Sequence, residues 1–175
     1  TGLLTTEGFR DVLEIGRQTR PDLFDMSVRK PDPLVARPLR LEVAERLGPA
    51  GEVIVPLDEA AVEAAAQRFR DEGVEAVAIG FLHAYRNPAH EERAAEILRQ
   101  HLPDIFISLS SDVLPEFREY ERISTTVMNA YLMPRMDGYL DRFMTRARRG
   151  GIGAKPYTIH SNGGLMSTET ARIYP

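Results

Sequence analysis

The run Ala76-Val77-Ala78-Ile79-Gly80-Phe81-Leu82 is apolar or glycine at every position and stands between two helical patterns. A strand with one wet face alternates in polarity, whereas a run without alternation has both faces covered, as a parallel strand between helix layers does. Its neighbours agree with that reading. Upstream, Val62, Ala65, Ala66 and Phe69 recur at spacings of three and four. Asp58 is placed to cap that segment and Gly73 to end it, so a helix is predicted over 59–72. Downstream, Asn87-Pro88 opens a helix with Ala94, Ile97 and Leu98 on one side, Pro103 closes it, and 105–109 reads as the next strand. A short strand at 2–6 and a helix over 7–18, carrying Phe9, Val12, Leu13 and Ile15, begin the chain. Strands alternating with helices predict an α/β fold with a mainly parallel sheet and helices on both faces.

The second half continues the pattern. A helix is predicted over 115–133, started by Pro115 and ended by Pro134, with Phe117, Tyr120, Ser124, Val127, Met128 and Tyr131 on its packing face. That face leaves Glu116, Arg118, Glu119, Glu121, Arg122, Thr125 and Asn129 elsewhere on the cylinder. A further helix after Pro134 turns Tyr139, Leu140, Phe143 and Ala147 inward, and a last strand over 155–159 runs into His160-Ser161-Asn162-Gly163-Gly164.

Two segments interrupt the alternation. Residues 19–40 lose all periodicity among Pro21, Pro31, Pro33 and Pro38, with Arg20, Arg29, Lys30, Arg37 and Arg40 interspersed, and read as an irregular excursion. Loops of that length are often functional, and a solvated basic loop is the plainer reading. Strand-like stretches at 39–45 and 52–57, joined across Gly48-Pro49-Ala50-Gly51, predict a β-hairpin over about 39–57. With 175 residues, 43% of them hydrophobic, the chain has enough apolar material for one domain. A net charge of −4 offers no footprint for nucleic acid or an anionic membrane, and no apolar run reaches the roughly 20 residues of a membrane span. The absence of cysteine excludes disulfides, thiolate metal sites and cysteine nucleophiles, and fits a reducing compartment such as the cytoplasm.

In parallel sheets, ligands gather beyond the carboxyl ends of the strands. Those ends are Thr5-Thr6-Glu7, His83, Ser110-Ser111-Asp112 and His160-Ser161-Asn162-Gly163-Gly164, which are expected to converge on one edge. His83 and His160 each read either as a general base or as a structural donor and acceptor. The glycines of Asn162-Gly163-Gly164 permit close approach of a ligand, a weak signal for nucleotide without a fuller phosphate-binding motif. The charged turns Glu116, Arg118, Glu119, Glu121 and Arg122 are either a solvated surface laced by pairs such as Glu119 with Arg122, or the lining of a site or interface. No metal-ligand set, paired cysteine or nucleophile elbow is present.

Five blocks in order resemble the N-terminal region of the hydantoinase A and 5-oxoprolinase family. They are Leu4-Thr5-Thr6-Glu7-Gly8-Phe9-Arg10-Asp11-Val12-Leu13-Glu14-Ile15-Gly16-Arg17; Phe81-Leu82-His83 with Tyr85-Arg86-Asn87-Pro88-Ala89-His90-Glu91; Leu109-Ser110-Ser111-Asp112-Val113-Leu114-Pro115-Glu116; Glu119-Tyr120-Glu121-Arg122 with Ser124-Thr125-Thr126-Val127 and Asn129-Ala130-Tyr131; and Ser161-Asn162-Gly163-Gly164-Leu165-Met166-Ser167. The resemblance implies part of an actin-like ATPase that uses ATP with Mg²⁺ to open a cyclic amide such as hydantoin, N-methylhydantoin or 5-oxoproline. Relatives implied by the same resemblance are subunits of ketone carboxylases. The family's Asp-x-Gly-Gly-Thr phosphate segment is missing here, so the chain is expected to be an internal piece, inactive alone and without tight ATP binding. Phosphorylation of an amide oxygen would supply the drive for opening a stable ring, and positioning groups and cations around the anionic intermediate would be needed. A non-catalytic module that docks a partner subunit or domain through the 116–129 helix face or the basic loop is the alternative. A free-standing small-ligand domain is a third.

Overall fold

The computed structural model describes the chain apart from residues 20, 21, 23, 26 and 160–162. Strand β1 (Gly2–Thr6) leads into a short helix α1 (Val12–Ile15), and after the excursion a 3₁₀ turn precedes β2 (Arg40–Val43). The hairpin β3 (Arg46–Leu47) and β4 (Val53–Val55) comes next, then α2 (Glu59–Asp71), β5 (Ala76–Gly80), α3 (Ala89–His101) and β6 (Phe106–Leu109). A one-turn helix α4 (Ser110–Val113), the long α5 (Glu119–Arg149), β7 (Tyr157–Ile159), β8 (Leu165–Ser167) and α6 (Thr168–Ile173) complete it. The main sheet runs β2-β1-β5-β6 with every pairing parallel, and two antiparallel hairpins, β3-β4 and β7-β8, stand apart from it.

Period-two geometry divides the central strands between two cores. Leu4, Val77 and Ile79 face α2 and α3, where they meet Val62, Ala66, Phe69, Ala94 and Leu98. Leu3, Ala76 and Ala78 face α5, against Ile123, Val127 and Ala130. The α5 side of β5 is built from small residues, and Gly80 completes the series. A Cβ at Gly80 would stand 2.7 Å from Ile123 Cγ1, so the lack of a side chain sets how closely the long helix approaches.

Several sequence expectations are corrected. Residues 40–43 do not form the first strand of the hairpin; they join the main sheet beside β1, and only 46–47 pair with 53–55. The strand predicted at 155–159 is Tyr157–Ile159 and pairs with β8 in a hairpin, so it is not a strand of the main sheet. The helix predicted over 7–18 is reduced to Val12–Ile15. The helix predicted to begin at Pro115 begins at Glu119, because the chain makes the separate turn α4 first. Pro134 does not end α5. The helix is braced on both sides of that proline: Asn129 Nδ2 donates to Ile173 O at 2.9 Å, and Arg172 pairs with Asp137 and Asp141 one turn apart.

The packing face of α5 also differs from expectation. Phe117 and Met128 are exposed, whereas Arg122 and Asn129 are buried with Ile123, Thr126, Val127, Ala130 and Met133. Overpacking at the sheet gives a direct test of the helix-to-strand fit. Gly80→Ala should destabilise the fold by about 1–3 kcal/mol, and Ile123→Val in the same chain should recover part of that loss in urea denaturation.

Candidate functional site

The carboxyl ends of β1, β5 and β6 share one edge of the sheet, because the three strands are parallel neighbours. Where the ladder stops, peptide groups lose their partners and must be satisfied by other means. At the end of β5 two buried charged side chains supply them. Phe81 N–H donates to Glu91 Oε1 at 2.9 Å, and Phe81 O accepts from an Arg122 amino group at 3.0 Å.

Glu91 comes from the first turn of α3 and is fully buried. Besides Phe81 it accepts from Ser110 Oγ at 2.6 Å, from Ser111 N–H at 2.9 Å and from Ser111 Oγ at 2.8 Å, so it ties the ends of β5 and β6 to one helix. Burial pushes its carboxyl up, while the two serine hydroxyls and two backbone N–H groups pull the other way. The two backbone N–H groups can only donate, and with both serine hydroxyls turned to donate the set is that of an ionised carboxylate. Arg122 is the nearby counter-charge. Its Nε donates to Ser110 Oγ at 3.1 Å, which leaves the Ser110 proton for Glu91, so the two charges communicate through one hydroxyl. Burial lowers the Arg122 guanidinium and the Glu91 charge opposes that shift. The remaining amino group donates to Glu116 O, and the guanidinium carbon stands 5.5 Å from the Tyr85 ring centroid.

A second buried group lies at the end of β1. Thr6 Oγ1 donates to Glu45 Oε1 and accepts from Leu82 N–H at 2.9 Å, and the other Glu45 oxygen stands 2.8 Å from His90 Nδ1. Glu45 and His90 are both buried, and they connect the β2–β3 link to the start of α3. His83, the strand-end histidine singled out from sequence, is half-buried at φ +57° with Nδ1 2.8 Å from Leu47 O.

The five charges at the start of α5 do not gather. Arg122 is in the buried network, linked to Glu91 through Ser110, and Glu119 acts on it only as a further charge, without a direct ion pair. Glu116 is exposed and contributes its backbone carbonyl, not its carboxylate. Arg118 is exposed over the Phe117 ring at 5.6 Å. Glu119 is exposed beside a surface cavity, and Glu121 pairs with Arg17 on the far side of the helix start. His160 and Asn162 lie outside the described residues. Gly163 and Gly164 are exposed, and among the described residues no atom lies within 4 Å of a Cβ built on Gly163.

These glycines precede β8, and a short helix follows it. The six-residue α6 has its first-turn N–H taken by its own Ser167, which accepts from Thr170 N at 3.1 Å. Among the described residues no group of three His, Asp or Glu side chains is placed to hold a metal ion, and no helix is long and apolar enough to cross a membrane.

Glu91, Glu45, Thr6 and His90 were not among the residues singled out individually. Glu91 carried a readable signal: it falls three before Ala94 and seven before Leu98, on the buried stripe of its helix. Arg122 likewise falls four before Thr126 and eight before Ala130. Arg122→Ala should cost about 3–5 kcal/mol, because it strips a buried carboxylate of its counter-charge and Phe81 O of its donor. Thermal and urea unfolding measure it; a loss under about 1 kcal/mol, as for a solvated surface charge, would contradict the network.

Known proteins share both the sequence blocks and the fold. The family model of the hydantoinase/oxoprolinase N-terminal region matches residues 1–102, and that of hydantoinase/oxoprolinase matches residues 122–175. The caprolactamase alpha subunit of Pseudomonas jessenii is 42% identical over 166 residues, covering 94% of this chain and 24% of that protein. The acetophenone carboxylase gamma subunit of Aromatoleum aromaticum is 35% identical over 189 residues, 99% of this chain and 26% of the relative. The crystal structure of the ATP-dependent caprolactamase from P. jessenii superposes with a TM-score of 0.86 at 42% identity, over 95% of this chain and 24% of that one. Nucleotide-free acetone carboxylase gives 0.77 at 26% identity, over 99% and 27%. The chain thus spans about a quarter of the length of these relatives. With models of both regions matched, one of them over more than half of its residues, the chain belongs to the hydantoinase/oxoprolinase family.

Proposed function

We propose that this chain is one segment of a longer ATP-dependent enzyme that opens a cyclic amide of the hydantoin, 5-oxoproline or lactam type. The observation that carries the reading is the likeness to caprolactamase, which extends over 95% of the chain at a TM-score of 0.86. In the parent, the segment supplies a rigid sheet edge held by Glu91, Arg122 and Glu45, from which the loops at 81–88 and 114–118 are presented. ATP with Mg²⁺ is held by parts of the parent outside these residues, since the sequence lacks the family's Asp-x-Gly-Gly-Thr phosphate segment. A second subunit or domain completes the enzyme, in keeping with relatives that are named as an alpha and a gamma subunit. A cytoplasmic setting suits an ATP-consuming enzyme without cysteine.

A second reading, a subunit of an ATP-dependent ketone carboxylase, is favoured by the likeness to acetophenone carboxylase and acetone carboxylase. The two reactions are separated by assaying the full-length parent, with its partner subunit, on lactams and hydantoins and on ketones with bicarbonate. Ring opening that stops when ATP is withheld is the expected result. Carboxylation without ring opening would establish the second reading, and neither activity would leave the segment an assembly module. The 175-residue chain alone should turn over neither substrate, and calorimetry with MgATP should show no low-micromolar one-to-one isotherm.

A further inference from the structure

A cavity of about 540 Å³ lies between α1 with the adjoining excursion and the first turns of α5, within the range of small-molecule sites. Its walls are apolar. Leu13, Leu34, Val127 and Met128 line it, and Leu34 and Met128 are 46% and 48% exposed, so part of this apolar surface is open. Its polar side chains are Glu14, Arg17, Thr19, Lys30, Tyr120 and Ser124, of which all but Glu14 can donate. Arg17 pairs with Glu121 and Lys30 donates to Ile15 O at 3.3 Å, but five guanidinium and three ammonium protons leave each with donors to spare. The Tyr120 hydroxyl meets no hydrogen-bond partner among the described residues. The carboxylate in the lining, Glu14, is engaged by Arg40 at 3.0 Å.

Tyr120 packs against one glycine. Gly16 has φ +55°, and a Cβ there would stand 3.4 Å from Tyr120 Cζ, so the backbone lies against the phenol ring. The same two residues also line a neighbouring cavity of about 510 Å³, which makes Tyr120 the partition between them.

We propose that this cavity binds a small ligand with an apolar body and a single acceptor head, a carbonyl or a carboxylate, with Tyr120, Arg17 and Lys30 as its donors. Apolar walls with a few convergent polar groups set both halves of that ligand. A cyclic amide and its ring-opened carboxylate both belong to this class, and identifying the ligand with them rests on the ring-opening reading.

The test uses three probes on the 175-residue chain, followed through the Met128 methyl and Tyr120 ring signals in NMR. Hexanoate and caprolactam should shift both signals saturably, while hexylammonium, with the same apolar body and a donor head, should not. Tyr120→Phe should weaken hexanoate binding by about tenfold, the loss of one hydrogen bond to a charged group. Met128→Glu, which places a carboxylate in the apolar wall, should abolish it. No saturable shift with either acceptor-headed probe, an equal response to hexylammonium, or an affinity unchanged by Tyr120→Phe would overturn the proposal. The full-length parent separates this from the ring-opening reading. Ring opening with KM unaltered by Tyr120→Phe, together with no binding to the chain, removes the site and leaves the reaction. Saturable, Tyr120-dependent binding in a parent that opens no ring keeps the site and removes the reaction.

Discussion

The peptide at Phe81 is where a parallel strand runs out of partners, and the structure spends two buried charges on it. Its N–H goes to Glu91 and its carbonyl to Arg122. A buried ion costs several kcal/mol in lost hydration unless each of its polar atoms finds a partner. Glu91 meets that condition with four donors, and Arg122 with the Phe81 and Glu116 carbonyls and the Ser110 hydroxyl. The result couples three elements that are distant in sequence: β5, the β6–α4 junction, and the start of α5. A fully satisfied network of this kind fixes geometry more than it adds net stability, because an apolar replacement of similar shape can be equally stable.

The same edge explains why α5 begins where it does. Arg122 bonds the Glu116 carbonyl from inside the helix, so the 114–118 link is held against the sheet and the helix starts only after it. On the sheet side the approach of α5 is set by Ala76, Ala78 and Gly80, and on the other side Asn129 and the Asp137–Asp141 pair hold α6 across Pro134. A proline removes one hydrogen bond and crowds the preceding turn. Here those losses fall in a helix held by tertiary contacts before and after the break.

The layered fold was legible because its signals are local. The unalternating run at 76–82 and the stripe of Val62, Ala66 and Phe69 report burial directly, and parallel pairing is expected from the helices between strands. The family resemblance was carried by ordered blocks, and both family models match it. The failures came where tertiary contact overrides a local rule. Pro134 is a strong stop signal that packing overrode, and residues 40–43 have a hairpin pattern but found a free edge beside β1. The charged helix was misread because periodicity counts apolar residues only: Arg122 and Asn129 are on the buried stripe, but their polarity excluded them. Glu91 was hidden in the same way. Nothing in the spacing says that a serine pair at 110 and 111 will meet the glutamate at 91; that depends on β5 and β6 being neighbours.

Glu91 and Arg122 act as one unit through Ser110, and the geometry of the sheet edge rests on that coupling. A double-mutant cycle with Glu91→Gln and Arg122→Leu, read by urea unfolding, measures it without apportioning the rest of the network. The structure predicts a coupling of about 1–3 kcal/mol, with the double variant less destabilised than the sum of the single ones. Additivity within about 0.5 kcal/mol would contradict it, showing that the two charges are held independently.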